Sequence, residues 1–231
     1  MKFVSDPSIA IKVNRMRRRV RWQHPEILKK GIDQTRLVLP DETRADAFSF
    51  MVIGDSGAGY HSGDNPQRRV AEWLMENSDG CEFVMHTGDL IYLVGSSEQY
   101  RENFIEPYRE WIVGGESPAQ IRYDQMRFKL PFLPTPGNHD YYDLPIVYGL
   151  LMQVFGPLLK LFRQFDLDVG RHGSYQGDAY ARAFLDYLTE VNEADLAAHL
   201  DRYYTAQTHT GRALSYQPGQ FTRLPNRYYR L

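Results

Sequence analysis

The sequence predicts an α/β fold, a layered sheet with crossover helices. Three short apolar segments, 47–53, 83–86 and 132–134, have the character of buried strands, and the first two end at or just before a glycine. Segments with the sequence character of helices separate them. The order strand, helix, strand, helix, strand is typical of a parallel sheet whose helices cross over its faces.

The two predicted helices lie between these strands. The first is predicted to begin at Asp64-Asn65-Pro66, because proline is favoured in the first helical turn, and to stop near Gly80. The second is predicted to begin at Ser96-Ser97. Its apolar positions include Tyr100, Phe104 and Ile105.

A glycine-containing polar cluster follows each predicted strand. The clusters are GDSG at 54–57, GDLIY at 88–92 and GNHD at 137–140. Ligands of open parallel sheets bind beyond the carboxyl ends of the strands. We therefore expect these three clusters to converge on one rim of the sheet.

The chain divides by composition into a basic N-terminal arm, residues 1–46, and one domain, residues 47–231, with a helical insertion at about 144–225. The first 44 residues hold 11 Lys/Arg against 5 Asp/Glu, although the whole chain has a net charge of −2. The most apolar window, 146–165, is interrupted by Gly156-Pro157, Lys160 and Arg163, which favours a buried or lid-like helical pair over a membrane span.

Composition is ordinary for a soluble globular protein, with 42% hydrophobic and 24% charged residues. Cys81 is the only cysteine, so no intrachain disulfide can form. The N-terminus lacks the uninterrupted apolar stretch of a secretory signal, and we expect a cytoplasmic protein without a transmembrane segment. The arginine run at 15–21 is interpreted mainly as a solvated face, so no nucleic-acid partner is expected. Oligomeric state is not indicated.

The polar clusters carry an oxygen-rich donor set: Asp55, Asp89, Tyr92 and Asn138. Taken singly, each cluster is explained by the preference of Gly, Asp and Asn for turns. Taken together and in order, they suit a hard cation, since such ions prefer oxygen ligands. One carboxylate could bridge two ions about 3.5–4 Å apart, the usual clamp for phosphate-ester hydrolysis.

The ordered trio G-D-x-G, G-D-x-x-Y and G-N-H-D resembles the calcineurin-like metallophosphoesterases and, within them, the purple acid phosphatase branch. Most members have D-x-H in the first motif, where this sequence has Asp55-Ser56-Gly57. The missing imidazole coincides with Tyr92, at the position where the purple branch supplies a phenolate. The resemblance implies a metallophosphoesterase-type layered sheet, in this case the N-terminal part of an αββα sandwich.

The same resemblance implies roles for the site residues. Asp55, Asp89 and Tyr92 would hold the first metal ion, with Asp89 bridging to a second ion that Asn138 also binds. The ions would be ferric iron plus ferrous iron, zinc or manganese. His139 would lie near the substrate phosphate, and Asp140 would orient His139. The implied activity is metal-dependent hydrolysis of a phosphate-ester substrate of unspecified type.

The resemblance is strongest over residues 48–142. The family's G-H-x-H motif is missing, and Leu196-Ala-Ala-His199 and Thr208-His209-Thr210 only superficially resemble the family's two histidine motifs. Because residues 224–231 look like the start of a strand, we expect the N-terminal part of a longer phosphoesterase. The competing hypotheses are a non-catalytic remnant that binds a partner, and a binder of nucleic acid or an anionic surface through the arginine run.

Overall fold

The structure is a computed structural model that describes residues 8–40, 47–57, 65–92, 95–141, 176–217 and 219–231. Five α-helices and six strands lie in these ranges. The helices are α1 (Ile9–Arg19), α2 (Pro25–Lys29), α3 (Pro66–Glu76), α4 (Asp178–Phe184) and α5 (Glu193–Tyr203). The strands are β1 (Ile32–Val38), β2 (Ser49–Ile53), β3 (Cys81–His86), β4 (Phe132–Pro134), β5 (Ala206–Thr208) and β6 (Gly211–Ser215).

The three strands expected from the apolar segments form one parallel sheet, in the order β2-β3-β4. Met51 pairs with Val84, which in turn pairs with Phe132, so the three strands run in register. The expected α/β fold is therefore confirmed, with the carboxyl ends of all three strands at one edge.

The connection from β2 to β3 contains α3, whose start was predicted correctly. The side chain of Asn65 accepts hydrogen bonds from the backbone N–H groups of Gln67 and Arg68, and Pro66 occupies the first turn. The helix ends at Glu76. Ala71 and Leu74 face the core, as the helical spacing requires.

The second predicted helix is only partly regular. It consists of a 3-10 turn, Ser97–Gln99, followed by a π-helix, Arg101–Ile105. Its expected apolar positions are nevertheless buried, with Tyr100, Phe104 and Ile105 each at most 1% exposed. Further 3-10 turns lie at Arg109–Trp111, Pro118–Gln120, Tyr123–Gln125, His139–Tyr141 and Leu188–Glu190.

A second sheet, in the order β1-β6-β5, joins the two segments that the sequence assigned to an arm and to a helical insertion. β1 pairs in parallel with β6, and β6 pairs in antiparallel with β5. Residues 8–40 therefore form helices and a strand, whereas the sequence predicted an arm. Residues 206–215 form a β-hairpin, whereas the sequence predicted a helical insertion. The apolar window 146–165 lies outside the described residues.

The C-terminal segment continues this sheet on the other side of β1. The N–H of Leu37 donates to the carbonyl of Arg230, and the N–H of Arg230 donates to the carbonyl of Thr35. The strand character expected at 224–231 thus corresponds to a short parallel bridge between Arg36 and Arg230.

An aromatic core supports the last strand of the first sheet. Phe132 packs against Phe104, Phe128 and Phe184, with ring centroids 4.6–5.9 Å apart. The phenols of Tyr180 and Tyr229 both donate to the carbonyl of Pro134, at 3.0 and 3.2 Å. This packing fixes the end of β4, from which the loop carrying residues 137–140 leaves.

Candidate metal centre

Two strand-end turns place carboxylates at the same edge of the first sheet. Asp55 and Asp89 are two of the four non-glycine residues with positive φ in the described chain, at 50° and 55°. The N–H of Asp55 donates to the carbonyl of Gly88, and the N–H of Gly57 donates to the carbonyl of Asp89. These backbone bonds hold the two turns side by side, although left-handed backbone is unfavourable for a residue with a Cβ.

The phenol of Tyr92 joins the two carboxylates. Its hydroxyl lies 2.6 Å from Oδ1 of Asp55 and 3.1 Å from Oδ2 of Asp89. Burial and then the hydrogen bond to Asp55, together with the charge of Asp89, raise the pKa of Tyr92 well above its ordinary value. In the metal-free protein, one phenolic proton is therefore held between two carboxylate oxygens.

Gly57 lies directly against the ring of Tyr92. A Cβ at position 57 would lie 2.4 Å from the backbone nitrogen of Tyr92 and 2.6 Å from its Cδ2. Any side chain here, a histidine included, would collide with both backbone and ring. The backbone and ring of Tyr92 therefore occupy the space that a histidine at position 57 would need.

The loop after β4 closes on Asp89 from the other side. A Cβ on Gly137 would lie 2.1 Å from Oδ1 of Asp89, so only glycine permits this approach. The backbone N–H of His139 donates to the same Oδ1 at 2.9 Å. Its ring lies 4.5 Å from that of Tyr92, centroid to centroid. Asn138, exposed and adjacent to this contact, is brought to the same rim.

Asp140 is fully buried and binds backbone rather than solvent. Its carboxylate accepts from the N–H groups of Gly137, Asp89, Leu90 and Ile91, at 2.8–3.4 Å. Burial raises the pKa of Asp140 to about 7, against the lowering effect of these N–H donors. These contacts fix the turn that carries Asp89. Orientation of the His139 ring by Asp140 stays a prediction.

His86, the last residue of β3, contacts both turns through its two ring nitrogens. Its Nδ1 accepts from the N–H of Gly88 at 3.1 Å, and its Nε2 lies 2.7 Å from Oγ of Ser56. Burial lowers the pKa of His86 to about 3, so the ring is neutral near pH 7. The spacing His-x-Gly-Asp was the available signal, but nothing in it named Ser56 as the partner.

The oxygen donors at this rim fit a cation. Three oxygens, from Asp55, Asp89 and Tyr92, converge within hydrogen-bond distance, and two of them belong to carboxylates that repel each other. Hard ions favour such donors. Among the described residues there is no cluster of three or more His, Cys, Asp or Glu side chains that could hold a metal.

The remaining described histidines lie in other contacts. Nε2 of His199 lies 2.8 Å from Oδ1 of the buried Asp186. The Nδ1 of His24 accepts from the N–H of Glu26 at the start of α2. His209 is exposed. None of these contacts involves the rim residues, and His61 and His172 lie outside the described residues.

The arginine run is engaged in contacts within the protein. Arg19 pairs with Asp178 and Tyr187, and Arg21 pairs with Glu193. The guanidinium of Arg17 lies over the ring of Trp22. These contacts tie α1 to residues 178–193, which weakens the hypothesis of an anionic partner for the run.

A parallel sheet gathers two carboxylates, a phenol and an imidazole at its carboxyl edge, an arrangement compatible with a metal-dependent phosphoesterase. The family model described as calcineurin-like phosphoesterase matches residues 48–212. The chain belongs to this family, whose members are hydrolases of phosphate esters and typically bind two metal ions. Searches of curated proteins and of solved structures gave no match. In the described part of the chain, no helix has the length and apolar character needed to cross a membrane.

Proposed function

We propose that this chain hydrolyses phosphate esters at a dinuclear metal centre of the purple acid phosphatase type. The observation that carries the proposal is the convergence of Asp55, Asp89 and Tyr92 oxygens, with the phenol 2.6 and 3.1 Å from the two carboxylates. A hard ion such as ferric iron, bound by these three residues, would replace the shared proton. Asp89 and Asn138 would hold a second ion, such as ferrous iron, zinc or manganese.

When bound, the metal ions supply positive charge that offsets the charge of the phosphate and makes water a stronger nucleophile. The residues of the chain do the rest. Tyr92 would hold the first ion as a phenolate, with its proton released to solvent. Asp140 holds the turn of Asp89 through backbone N–H groups, and so fixes the position of Asp89 at the rim.

His139 is the proposed proton donor to the leaving oxygen. Its ring is half-buried against Tyr92, and its backbone is anchored to Asp89, so the imidazole lies at the rim without being one of the proposed ligands. In the reaction the oxygen of water bonds to phosphorus and the bond from phosphorus to the ester oxygen breaks. The proton from His139 neutralises that departing oxygen.

The test is hydrolysis of an aryl phosphate after reconstitution with iron or manganese. Wild-type protein should release phosphate in a metal-dependent manner, and Asp55→Asn should abolish the release. A matched control is Asp79→Asn, which makes the same chemical change in an exposed turn. Folded, metal-loaded protein without turnover would overturn the proposal.

One observation favours a second candidate function. The family's G-H-x-H motif is not found in these 231 residues, and the V-x-x-H spacing occurs only at Val169-Gly-Arg-His172, outside the described residues. The described part of the chain holds no cluster of three or more His, Cys, Asp or Glu side chains that could bind a metal. A non-catalytic module that binds a partner is therefore the alternative. It predicts a stable fold and a specific partner, without turnover at any metal concentration.

A further inference from the structure

His86 is a buried titratable group that the proposed chemistry does not use. It ends β3, three residues before Asp89, with 2% of its surface exposed and its ring beside Phe132. Both of its nitrogens are occupied. Nδ1 accepts a hydrogen bond from the N–H of Gly88, so the neutral ring carries its proton on Nε2 and donates a hydrogen bond to Oγ of Ser56.

The two partners of this ring belong to different turns of the metal centre. Ser56 follows Asp55 directly, and Gly88 precedes Asp89 directly. Both aspartates have left-handed backbone, which costs about 1–2 kcal/mol per residue and persists only where the surroundings impose it. The imidazole therefore contacts both turns at once, from their buried side.

We propose that His86 is the positioning residue of this centre, a buried clip that holds the Asp55 turn and the Asp89 turn at a fixed separation through Ser56 and Gly88. Its role toward a metal rests on the proposed function, whereas its role in holding the turns does not. The clip extends further into the core, because Ser56 is also hydrogen-bonded to the phenol of the buried Tyr108.

An imidazole suits this task because one rigid ring offers an acceptor at the δ position and a donor at the ε position. Asparagine can reproduce only the acceptor, and glutamine only the donor, which makes each a half-clip. Outer contacts of this kind commonly change metal affinity about 10–100-fold. The expected loss is therefore graded: largest for His86→Leu, smaller for His86→Asn, His86→Gln and Ser56→Ala.

The first experiment follows amide hydrogen exchange in the metal-free, full-length chain. His86→Leu should speed exchange at Gly88, Asp55 and Gly57 by about tenfold or more, since opening of these turns becomes easier. Exchange at Leu37, in the other sheet, should not change. The control is His199→Leu, the same substitution at a histidine that contacts Asp186 and leaves both hydrogen bonds of His86 in place.

The second experiment measures Mn²⁺ binding by titration calorimetry, with kcat and KM for an aryl phosphate in the same samples. His86→Leu should weaken Mn²⁺ binding about 10–100-fold and lower kcat more than it raises KM. His199→Leu should stay within about twofold of wild type in affinity.

The outcomes separate the two proposals. Wild-type exchange rates in His86→Leu would overturn the proposed role of His86, whether or not the protein binds Mn²⁺. Failure of the wild-type protein to bind Mn²⁺ would instead overturn the proposed metal centre. Wild-type Mn²⁺ affinity in His86→Leu, with a functioning centre, would also overturn the clip. If His86→Leu fails to fold, the half-clip variants and Ser56→Ala decide by the same readouts.

Discussion

The hydroxyl of Tyr92 lies 2.6 Å from Oδ1 of Asp55, a residue 37 positions earlier in the chain. The same hydroxyl reaches Asp89, so one proton serves two carboxylates that are drawn together by the packing of two turns. Like charges this close favour any cation that replaces the proton. We therefore expect the paired carboxylates of Asp55 and Asp89 to favour a bound cation.

Asp89→Asn should be the most damaging single substitution at the rim. Asp89 uses both carboxylate oxygens, one for the N–H of His139 and one for the phenol of Tyr92. An amide would turn its NH₂ group toward one of these donors and would remove a negative ligand. We expect Mn²⁺ affinity to fall at least ~100-fold, on the order of 3 kcal/mol, and aryl phosphate hydrolysis to vanish.

The comparison for Asp89→Asn is Asp79→Asn, in the exposed turn before β3. This variant should bind Mn²⁺ as wild type does. Equal losses in the two variants would mean that net charge, rather than ligation by Asp89, controls the affinity.

Gly57→Ala should damage the site for a purely steric reason. Its backbone is not left-handed, but the added Cβ would lie 2.4 Å from the nitrogen of Tyr92. We expect a loss of about 1–3 kcal/mol in the free energy of unfolding, measured in urea, together with weakened Mn²⁺ binding.

Gly80→Ala is the matched control for Gly57→Ala. Gly80 has φ +77° and open space around its Cα, so alanine there meets backbone strain and no neighbour. It should cost about 1 kcal/mol of stability and leave metal binding unchanged. Unaltered Mn²⁺ binding in Gly57→Ala would show that the Tyr92 ring moves freely and that the two positions are not coupled.

The first sheet and the rim could be predicted from the sequence because their signals are local. Apolar strands ended by Gly-Asp turns, and Asn65-Pro66 at a helix start, each depend on a few neighbouring residues. Parallel order then places the strand ends together without further information. The convergence of Asp55, Asp89 and Tyr92 follows from that rule.

The second sheet could not be predicted in the same way. β1 has a polar sequence, IDQTRLV, and its buried Gln34 is satisfied by the carbonyl of Val20 and the N–H of Gln23. Such hydrogen bonds join residues that are separated in the chain, so the periodicity of the sequence does not indicate them. The partner strand β6 lies about 180 residues away, and the Ser56–His86 contact similarly links residues 30 positions apart.

Stability should depend on pH through His86. Burial lowers its pKa in the folded protein to about 3, from an ordinary value of 6.5. Between these values the unfolded chain binds a proton that the folded chain does not, so stability is fully present above pH 6.5 and is lost as pH falls toward 3. The slope attributable to this one group is at most about 1.4 kcal/mol per pH unit.

Urea unfolding of metal-free protein at pH 5 and pH 7 measures this dependence on His86. His86→Asn removes the titrating ring and should show a smaller difference between the two pH values than wild type. His209→Asn removes an exposed histidine and should retain the wild-type difference. An identical pH dependence in His86→Asn and wild type would contradict the buried, neutral state of His86.

Tyr92→Phe distinguishes a phenolate ligand from a packing aromatic, because it removes one oxygen and keeps the ring that lies against Gly57. Wild-type protein loaded with ferric iron should show a visible charge-transfer band, and Tyr92→Phe should lack it.

The raised pKa of Tyr92 means that the phenol keeps its proton through neutral pH until a metal displaces it. Metal affinity should therefore rise with pH, by about tenfold per unit for one released proton, and rise less steeply in Tyr92→Phe. Tyr228→Phe, the same change at an exposed tyrosine, should retain both the colour and the slope. Visible absorbance that survives in Tyr92→Phe would place the ion away from the phenol, and Tyr92 would then be a donor to Asp55 and Asp89 alone.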